Sequence, residues 1–282
     1  MPELPEVEIT RRGIAEHLTG QTITDIVVRD GRLRYPVPAA LGDILRGQHI
    51  ESIGRRAKYL LLSCMTRAQN STPYESLTGS LIIHLGMSGS LRVLPSGSPA
   101  QKHDHIDIIC GPRLLRLRDP RRFGAVLWAA ASSGTHPLLQ NLGLEPLTEA
   151  FDGEALYAIS RDRKTPIKLF IMDARVVVGV GNIYASESLF RARIHPQTAA
   201  GRLSRARCMR LAAEIKATLN DALAAGGSSL RDFVQSDGSS GYFQQQYTVY
   251  GRENEPCRVC STPIRRVVMG QRSTFYCPNC QK

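Results

Sequence analysis

Val7, Ile9, Ile14 and Leu18 recur at roughly helical spacing, with Gly20 after them as a stop. The pattern predicts one leading helix that opens at Pro5 or Glu6 and holds Pro2 at a fixed, exposed position. From Gln21 the apolar positions gather into short strand-like runs at residues 23–29, 44–53, 57–63, 81–85, 91–94, 105–110, 114–118 and 125–129. Strands at this spacing predict a β-sandwich or barrel, and the polar stretch 66–80 reads as a loop. Small residues, glycine and proline across 130–137 suggest a linker, beyond which the pattern is helical. Asp152 is suited to cap one helix, Thr165-Pro166 to open another, and Ser204 to start a long one that ends before Gly226-Gly227. Near the end, residues 264–268 and 273–276 can pair across a turn at 269–272. The fold class is therefore α+β and multidomain: a β-sandwich with its leading helix at 1–130, a helical domain at 131–240 and a terminal hairpin segment at 241–282.

At 282 residues the chain is long enough for more than one core, and its formal net charge of +11, mostly from arginine, favours a polyanion as partner. Nucleic acid fits better than a membrane surface, because no basic amphipathic helix with a bulky aromatic face is present. There is no apolar run of membrane-spanning length and no signal-peptide core, so the expectation is a soluble, cytoplasmic protein without a membrane partner. Of the seven cysteines, Cys64, Cys110 and Cys208 stand in apolar or helical context and read as buried thiols. The other four form Cys257-x2-Cys260-x16-Cys277-x2-Cys280, the spacing of a zinc ribbon rather than of a disulfide framework. One structural Zn2+ is expected there. Residues 247–282 hold six Lys or Arg against two Glu, which suits a nucleic-acid finger.

Several short stretches carry candidate chemistry beside a plainer reading. A chain processed to begin at Pro2 would present a secondary amine, a nucleophile that condenses with an aldehyde-level carbon to an iminium ion, with the Glu3 carboxyl next to it for proton transfer. The same Pro2, Glu3, Pro5, Glu6 and Glu8 could simply open a helix. Lys58 enters a strand at its rim, as an edge gatekeeper also would. Met87 sits at the tip of a glycine-rich turn, Leu85-Gly86-Met87-Ser88-Gly89, and Phe123 ends the turn Asp119-Pro120-Arg121-Arg122-Phe123. Either side chain could fold onto the core. Beside Arg113, Arg116, Arg118, Arg121 and Arg122 they could instead be wedges that unstack a duplex held by its phosphates. Asn182, after Gly179 and Gly181, is a natural N-cap whose helix would present amides to a phosphate or to nothing in particular. The small-residue segment 236–246 reads as a flexible loop.

These stretches, PELPEVE, RRAKYLLL, HLGMSGSL, DPRRFG, VGVGNIYASE, SDGSSGYF and QRSTFYCPNCQK, in this order and over nearly the whole chain, closely resemble the formamidopyrimidine-DNA glycosylase family of bacterial repair enzymes. The resemblance implies an N-terminal catalytic β-sandwich, a helix-two-turn-helix DNA-binding domain and a zinc finger, with damaged double-stranded DNA held between domains by a monomer. It implies a bifunctional DNA glycosylase and AP lyase that excises oxidised purines, 8-oxoguanine and formamidopyrimidines, through an N-terminal proline imine and then β,δ-elimination. Position by position, Pro2 matches the catalytic amine, Glu3 the acid, Glu6 a carboxylate of the same site and Lys58 a lysine on the DNA backbone. Met87, Arg121 and Phe123 match the residues that fill the void left by the everted nucleotide. Asn182 and Arg272 match phosphate contacts, and His103 and Arg231 further DNA contacts. Ala57 stands where the family often has glycine, Arg231 where it has lysine, and the loop 66–80 is longer than usual. The rival classes are an endonuclease VIII type glycosylase for oxidised pyrimidines, against which the opening and the full wedge set count, and a non-catalytic DNA-damage binder. A retained Met1 would favour the latter.

Overall fold

The structure is a computed structural model that describes residues 2–66, 77–227 and 247–282. In chain order its helices and strands are α1 (Leu4–Leu18), β1 (Asp25–Val28), α2 (Leu41–Leu45), β2 (His49–Arg56), β3 (Tyr59–Met65), β4 (Leu77–His84), β5 (Ser90–Pro95), β6 (Asp104–Cys110), β7 (Arg113–Arg118) and β8 (Ala125–Ala130). There follow α3 (Pro137–Gln140), α4 (Gly153–Ser160), α5 (Ile167–Ile171), α6 (Asn182–Arg191), α7 (Arg205–Ala224), β9 (Arg265–Met269) and β10 (Arg272–Tyr276). The described residues fall into two compact units, one of residues up to Gln140 with Gly226 and Gly227, the other of Asn141–Ala225 with residues 247–282.

In the first unit two antiparallel four-stranded sheets, ordered β1-β6-β7-β5 and β2-β3-β4-β8, make the expected sandwich. Strict alternation in β3 sends Leu60, Leu62 and Cys64 inward, and α1 adds Val7, Ile14 and Leu18 to the same core. Two expectations need correction. The run 44–53 is not one strand: Leu41, Ile44 and Leu45 have the i, i+3, i+4 spacing of a helical turn and form α2, and Gly47, at φ +82°, separates it from β2. The loop expected over 66–80 is shorter, because Leu77–Ser80 already belong to β4, paired with β3 and β8, and Thr78 Oγ1 donates to Cys64 O at 2.8 Å. Residues 67–76 lie outside the described residues.

Hairpin β2–β3 turns through Ala57 and Lys58, and Ala57 has φ +55°. A two-residue turn favours glycine at a first position of positive φ, since a Cβ there meets the following carbonyl. Ala57→Gly is therefore expected to raise stability by about 0.5–1 kcal/mol, the relief of strain exceeding the added unfolded-state entropy. Urea midpoints at constant m-value would measure it, and a lower midpoint would refute the strain.

In the second unit α4 is capped by Asp152, which accepts from Ala155 N at 2.7 Å, and α7 by Ser204, which accepts from Arg207 N at 3.4 Å. Both match the sequence reading. Hairpin β9–β10 packs near the cysteines, where Phe190, Val249, Cys257, Ile264 and Cys277 form a small core. Phe190 belongs to α6, so the finger and the helical part share apolar contacts.

Candidate functional site

Helix α1 starts earlier than expected. Glu3 is its N-cap, and a reciprocal capping box ties the Glu3 side chain to the Glu6 N–H while Glu3 N donates to Glu6 Oε2 at 2.8 Å. This locks both carboxylates on the first turn. Glu3 and Glu6 are buried, at 2% and 0% exposure. Pro2 is also buried rather than exposed, because the helix begins at Leu4 and Pro2 directly precedes its buried first turn. Gly227, at φ +83°, runs against this turn: a Cβ on it would stand 3.1 Å from Ile9 Cδ1 and 3.5 Å from Glu6 Oε1. The structure thus brings Pro2, Glu3 and Glu6 together.

Lys58 is half-buried in the β2–β3 turn, and its charge acts on His84 at the end of β4. Burial, reinforced by Lys58 and Arg34, pushes the His84 pKa down to about 4, and its Nδ1 accepts from Gly86 N at 3.0 Å. A neutral His84 thereby anchors the Met87 turn. Between its ordinary pKa near 6.5 and about 4, the unfolded chain binds a proton that the folded one does not, so stability falls as pH drops through that window. Urea unfolding at pH 7 and pH 5 should show this loss, reduced in His84→Gln; an equal slope in both proteins would contradict it.

Met87 and Phe123 point outward, 36% and 43% exposed, and neither folds onto the core. Arg121 lies over the Phe123 ring at 5.0 Å. What fixes these three is a fully buried aspartate that the sequence reading left as a turn residue. Asp119 Oδ1 accepts from Ser88 Oγ at 2.7 Å and Oδ2 from Gly124 N at 2.8 Å, while Ser88 Oγ accepts from Arg121 N at 3.1 Å. Its N–H donates to His103 O at 3.0 Å, and its carbonyl meets His105 Nε2 at 2.8 Å. The Asp119 side chain therefore joins the Met87 turn to the Phe123 turn, and its backbone ties both to the loop that carries His103. The turns touch so closely that a Cβ on Gly86 would lie 2.3 Å from Phe123 C. His103 is half-buried with φ +74°, and partial burial, then Lys102 and Arg118, holds its pKa below the ordinary value.

The arginine run is mostly structural. Arg116 is buried on Asp107 at 2.8 Å and near Asp104, Arg118 pairs with Asp104, Arg122 with Asp30 at 3.1 Å, and Arg113 meets His17. Strand β7 carries three of the five, and alternation along it cannot reveal which face meets carboxylates. Arg121 is the member left beside Phe123.

In the second unit Asn182 is the first residue of α6 and Gly181 its N-cap, so the asparagine does not cap with its side chain. It instead accepts from Lys168 Nζ at 2.6 Å and donates to Ser273 O at 3.0 Å. Lys168, wholly buried in the apolar stretch IKLFI, also donates to Thr274 Oγ1 at 2.7 Å. This lysine joins α5, α6 and β10 beside Arg272, which is exposed at the start of β10. A polar residue inside a short apolar helix was the signal available for it. Glu187, buried in α6, takes Thr248 N, Val249 N and Tyr250 N at 2.8, 3.0 and 2.8 Å, and the Thr248 hydroxyl. Arg231 and the segment 236–246 lie outside the described residues.

Cys257, Cys260, Cys277 and Cys280 present their sulfurs within 4.8 Å of one another. The closer pairs stand at 3.4, 3.5 and 4.0 Å, against the ~3.8 Å edge of a tetrahedron with Zn–S bonds of about 2.3 Å. Hydrogen bonds from Thr262 and Asn279 bring the Cys260 thiol down to about 5, a ready thiolate. The four residues fit one zinc ion and leave it no open position.

Comparison with known proteins gives three family matches along the chain: the formamidopyrimidine-DNA glycosylase N-terminal domain over residues 1–126, the formamidopyrimidine-DNA glycosylase H2TH domain over 142–234, and the zinc finger found in FPG and IleRS over 254–282. The chain is 56% identical over 285 residues to the formamidopyrimidine-DNA glycosylase of Janthinobacterium sp. (strain Marseille), with all of both chains covered. Its structure is similar to that of a Lactococcus lactis FPG mutant in complex with Fapy-dG containing DNA, at TM-score 0.89 and 31% identity, covering 100% of each chain. It is similar also to Lactococcus lactis Fpg in complex with abasic-site DNA, at TM-score 0.88 and 31% identity, covering 99% of each chain. Among the described residues no helix is long and apolar enough to cross a membrane.

Proposed function

The chain belongs to the formamidopyrimidine-DNA glycosylase family, and from that premise we propose how its own residues carry out excision of oxidised purines from damaged duplex DNA. The observation that carries the proposal is the position of Pro2 immediately before the buried Glu3–Glu6 capping box. With Met1 removed, the neutral Pro2 amine attacks C1′ of the everted nucleotide, and the C1′–N bond breaks with its electron pair leaving on the base. Glu3 delivers a proton to the ring oxygen as the C1′–O4′ bond breaks, which opens the sugar and leaves C1′ doubly bonded to the Pro2 nitrogen, while Glu6 holds the Glu3 main chain still. The resulting iminium acidifies C2′. Loss of that proton expels the 3′ phosphate by β-elimination, and a second elimination expels the 5′ phosphate. Lys58 steadies the DNA backbone at the same rim.

Met87, Arg121 and Phe123 fill the gap left by eversion, and His103, Asn182, Arg231 and Arg272 hold phosphates. The chemistry resides in residues 1–130, the grip of the helical domain in 131–240 and that of the finger in 241–282. The enzyme works as a cytoplasmic monomer on nucleoid DNA. Met87→Ala and Phe123→Ala are expected to slow 8-oxoguanine excision from duplex about 10–100-fold, corresponding to a few kcal/mol of unstacking, while cleavage of a preformed abasic site changes little. Single-turnover rates on matched duplexes separate the two steps. Equal losses on both substrates would refute the wedge role, and a wild-type preference for oxidised pyrimidines would favour the endonuclease VIII type reading.

A further inference from the structure

Between Glu187 and Glu214 the chain carries six arginines and no acidic residue. Two of the six are accounted for within the fold: Arg191 pairs with Asp221 at 2.6 Å and Arg205 with Glu154 at 3.5 Å. Three others, Arg193, Arg207 and Arg210, converge with Lys282, Asn279, Val259 and the metal-site residue Cys280 on a cleft of about 450 Å³ that no Asp or Glu side chain lines. Main-chain oxygens hold two of these side chains. Arg207 Nη2 donates to Lys282 O at 2.5 Å and Arg210 Nε to Ala192 O at 2.8 Å. Burial and the nearby Arg210 cation hold the Arg207 pKa below its ordinary value. Arg193, Arg210 and the Lys282 ammonium, with no Asp or Glu among them, leave a positive surplus that a bound anion would relieve.

The cleft sits at the cysteine end of the finger. Asn279 and Lys282 follow β10, whose opposite end begins at Arg272, and a five-residue strand spans about 17 Å. A phosphate held at Arg272 therefore does not occupy the cleft. The remaining N–H groups of the arginine forks, with an amide side chain at the cleft, suit the oxygens of a phosphodiester. We propose that Arg193, Arg207, Arg210, Asn279 and Lys282 form a second phosphate site, separate from the lesion site, that takes a phosphodiester of nucleic acid. It extends the grip on DNA beyond the stretch engaged at Arg272, and it stands independently of the Pro2 chemistry.

The test uses the full-length zinc-loaded protein and the double variant Arg193→Glu/Lys282→Glu, since neither side chain is among those bonded to the main chain here. Affinity for an undamaged duplex of roughly 40 base pairs is measured across a salt series, with zinc content and melting temperature as folding controls. The slope of log K against log salt should become shallower by about 0.9 for one lost phosphate contact. Inorganic pyrophosphate should perturb the Arg193 and Arg207 side-chain NMR signals of the wild type, and not those remaining in the variant. If the charge reversal disturbs folding, Arg193→Gln/Lys282→Gln carries the same measurement. A folded variant with the wild-type slope overturns the proposal, even where pyrophosphate binds, because the cleft would then take an adventitious ion only.

Discussion

A protein with one extra residue ahead of Pro2 should still bind a lesion-containing duplex yet lose excision by a factor on the order of 10³ or more, the scale of loss when a covalent nucleophile is removed. The added peptide bond takes the nitrogen lone pair into an amide, so no iminium can form. The loss is not expected to come from unfolding: α1 is anchored by Leu4, Val7, Ile14 and Leu18 and capped by Glu3 and Glu6. At pH 7 roughly a tenth or more of a free α-amino group is already neutral, so the processed chain needs no strong base to be reactive. Pro2→Gly restores a primary amine and should keep part of the lyase activity. Excision rates of the extended protein within a few-fold of the processed one would move the nucleophile elsewhere, with Lys58 the first candidate.

Zinc removal should have the second largest effect, and the structure changes its expected reach. Four thiolates on a structural zinc contribute roughly 10–16 kcal/mol in isolated fingers, far more than a small hairpin stores by itself. Cys277→Ser should therefore unfold the finger, and because Phe190 of α6 packs in the same core as Cys257, Ile264 and Cys277, the helical part should loosen with it. The Lys168 bonds to Asn182 and Thr274 would be lost together. Duplex affinity should fall at least about 100-fold at moderate salt as phosphate contacts disappear. The sandwich has its own core and should keep its unfolding transition. Calorimetry with metal analysis checks both parts: zinc-free protein that binds duplex normally would refute the dependence, and a lost sandwich transition would refute the independence of the two cores.

What the sequence made legible followed from local rules. Period-two alternation gave the sandwich strands, the caps at Asp152 and Ser204 gave two helices, and the cysteine spacing gave the metal site. Met87 and Phe123 were suspect because large apolar residues at turn tips are uncommon, and they are exposed. The misreadings came where long-range partners decide. Arg116 looks like Arg121 in sequence, but Asp107 and Asp104 from the neighbouring strand bury it. Asn182 reads as a cap until Lys168 and Ser273 claim its side chain. Asp119 reads as an ordinary turn residue, and its hold on three loops depends on Ser88, His103 and His105, all distant along the chain. Pro2 reads as exposed if the helix opens at Pro5 or Glu6, whereas α1 begins at Leu4 and Pro2 is buried.

The central claim is that the Pro2 nitrogen becomes covalently bound to C1′. Borohydride added during turnover on 8-oxoguanine duplex reduces the iminium to a stable amine, and digestion followed by mass spectrometry locates the cross-link. The expected product is a protein whose intact mass lacks Met1 and whose adduct lies on the peptide beginning at Pro2. An adduct on Lys58, or efficient excision with no trapped species, would contradict it.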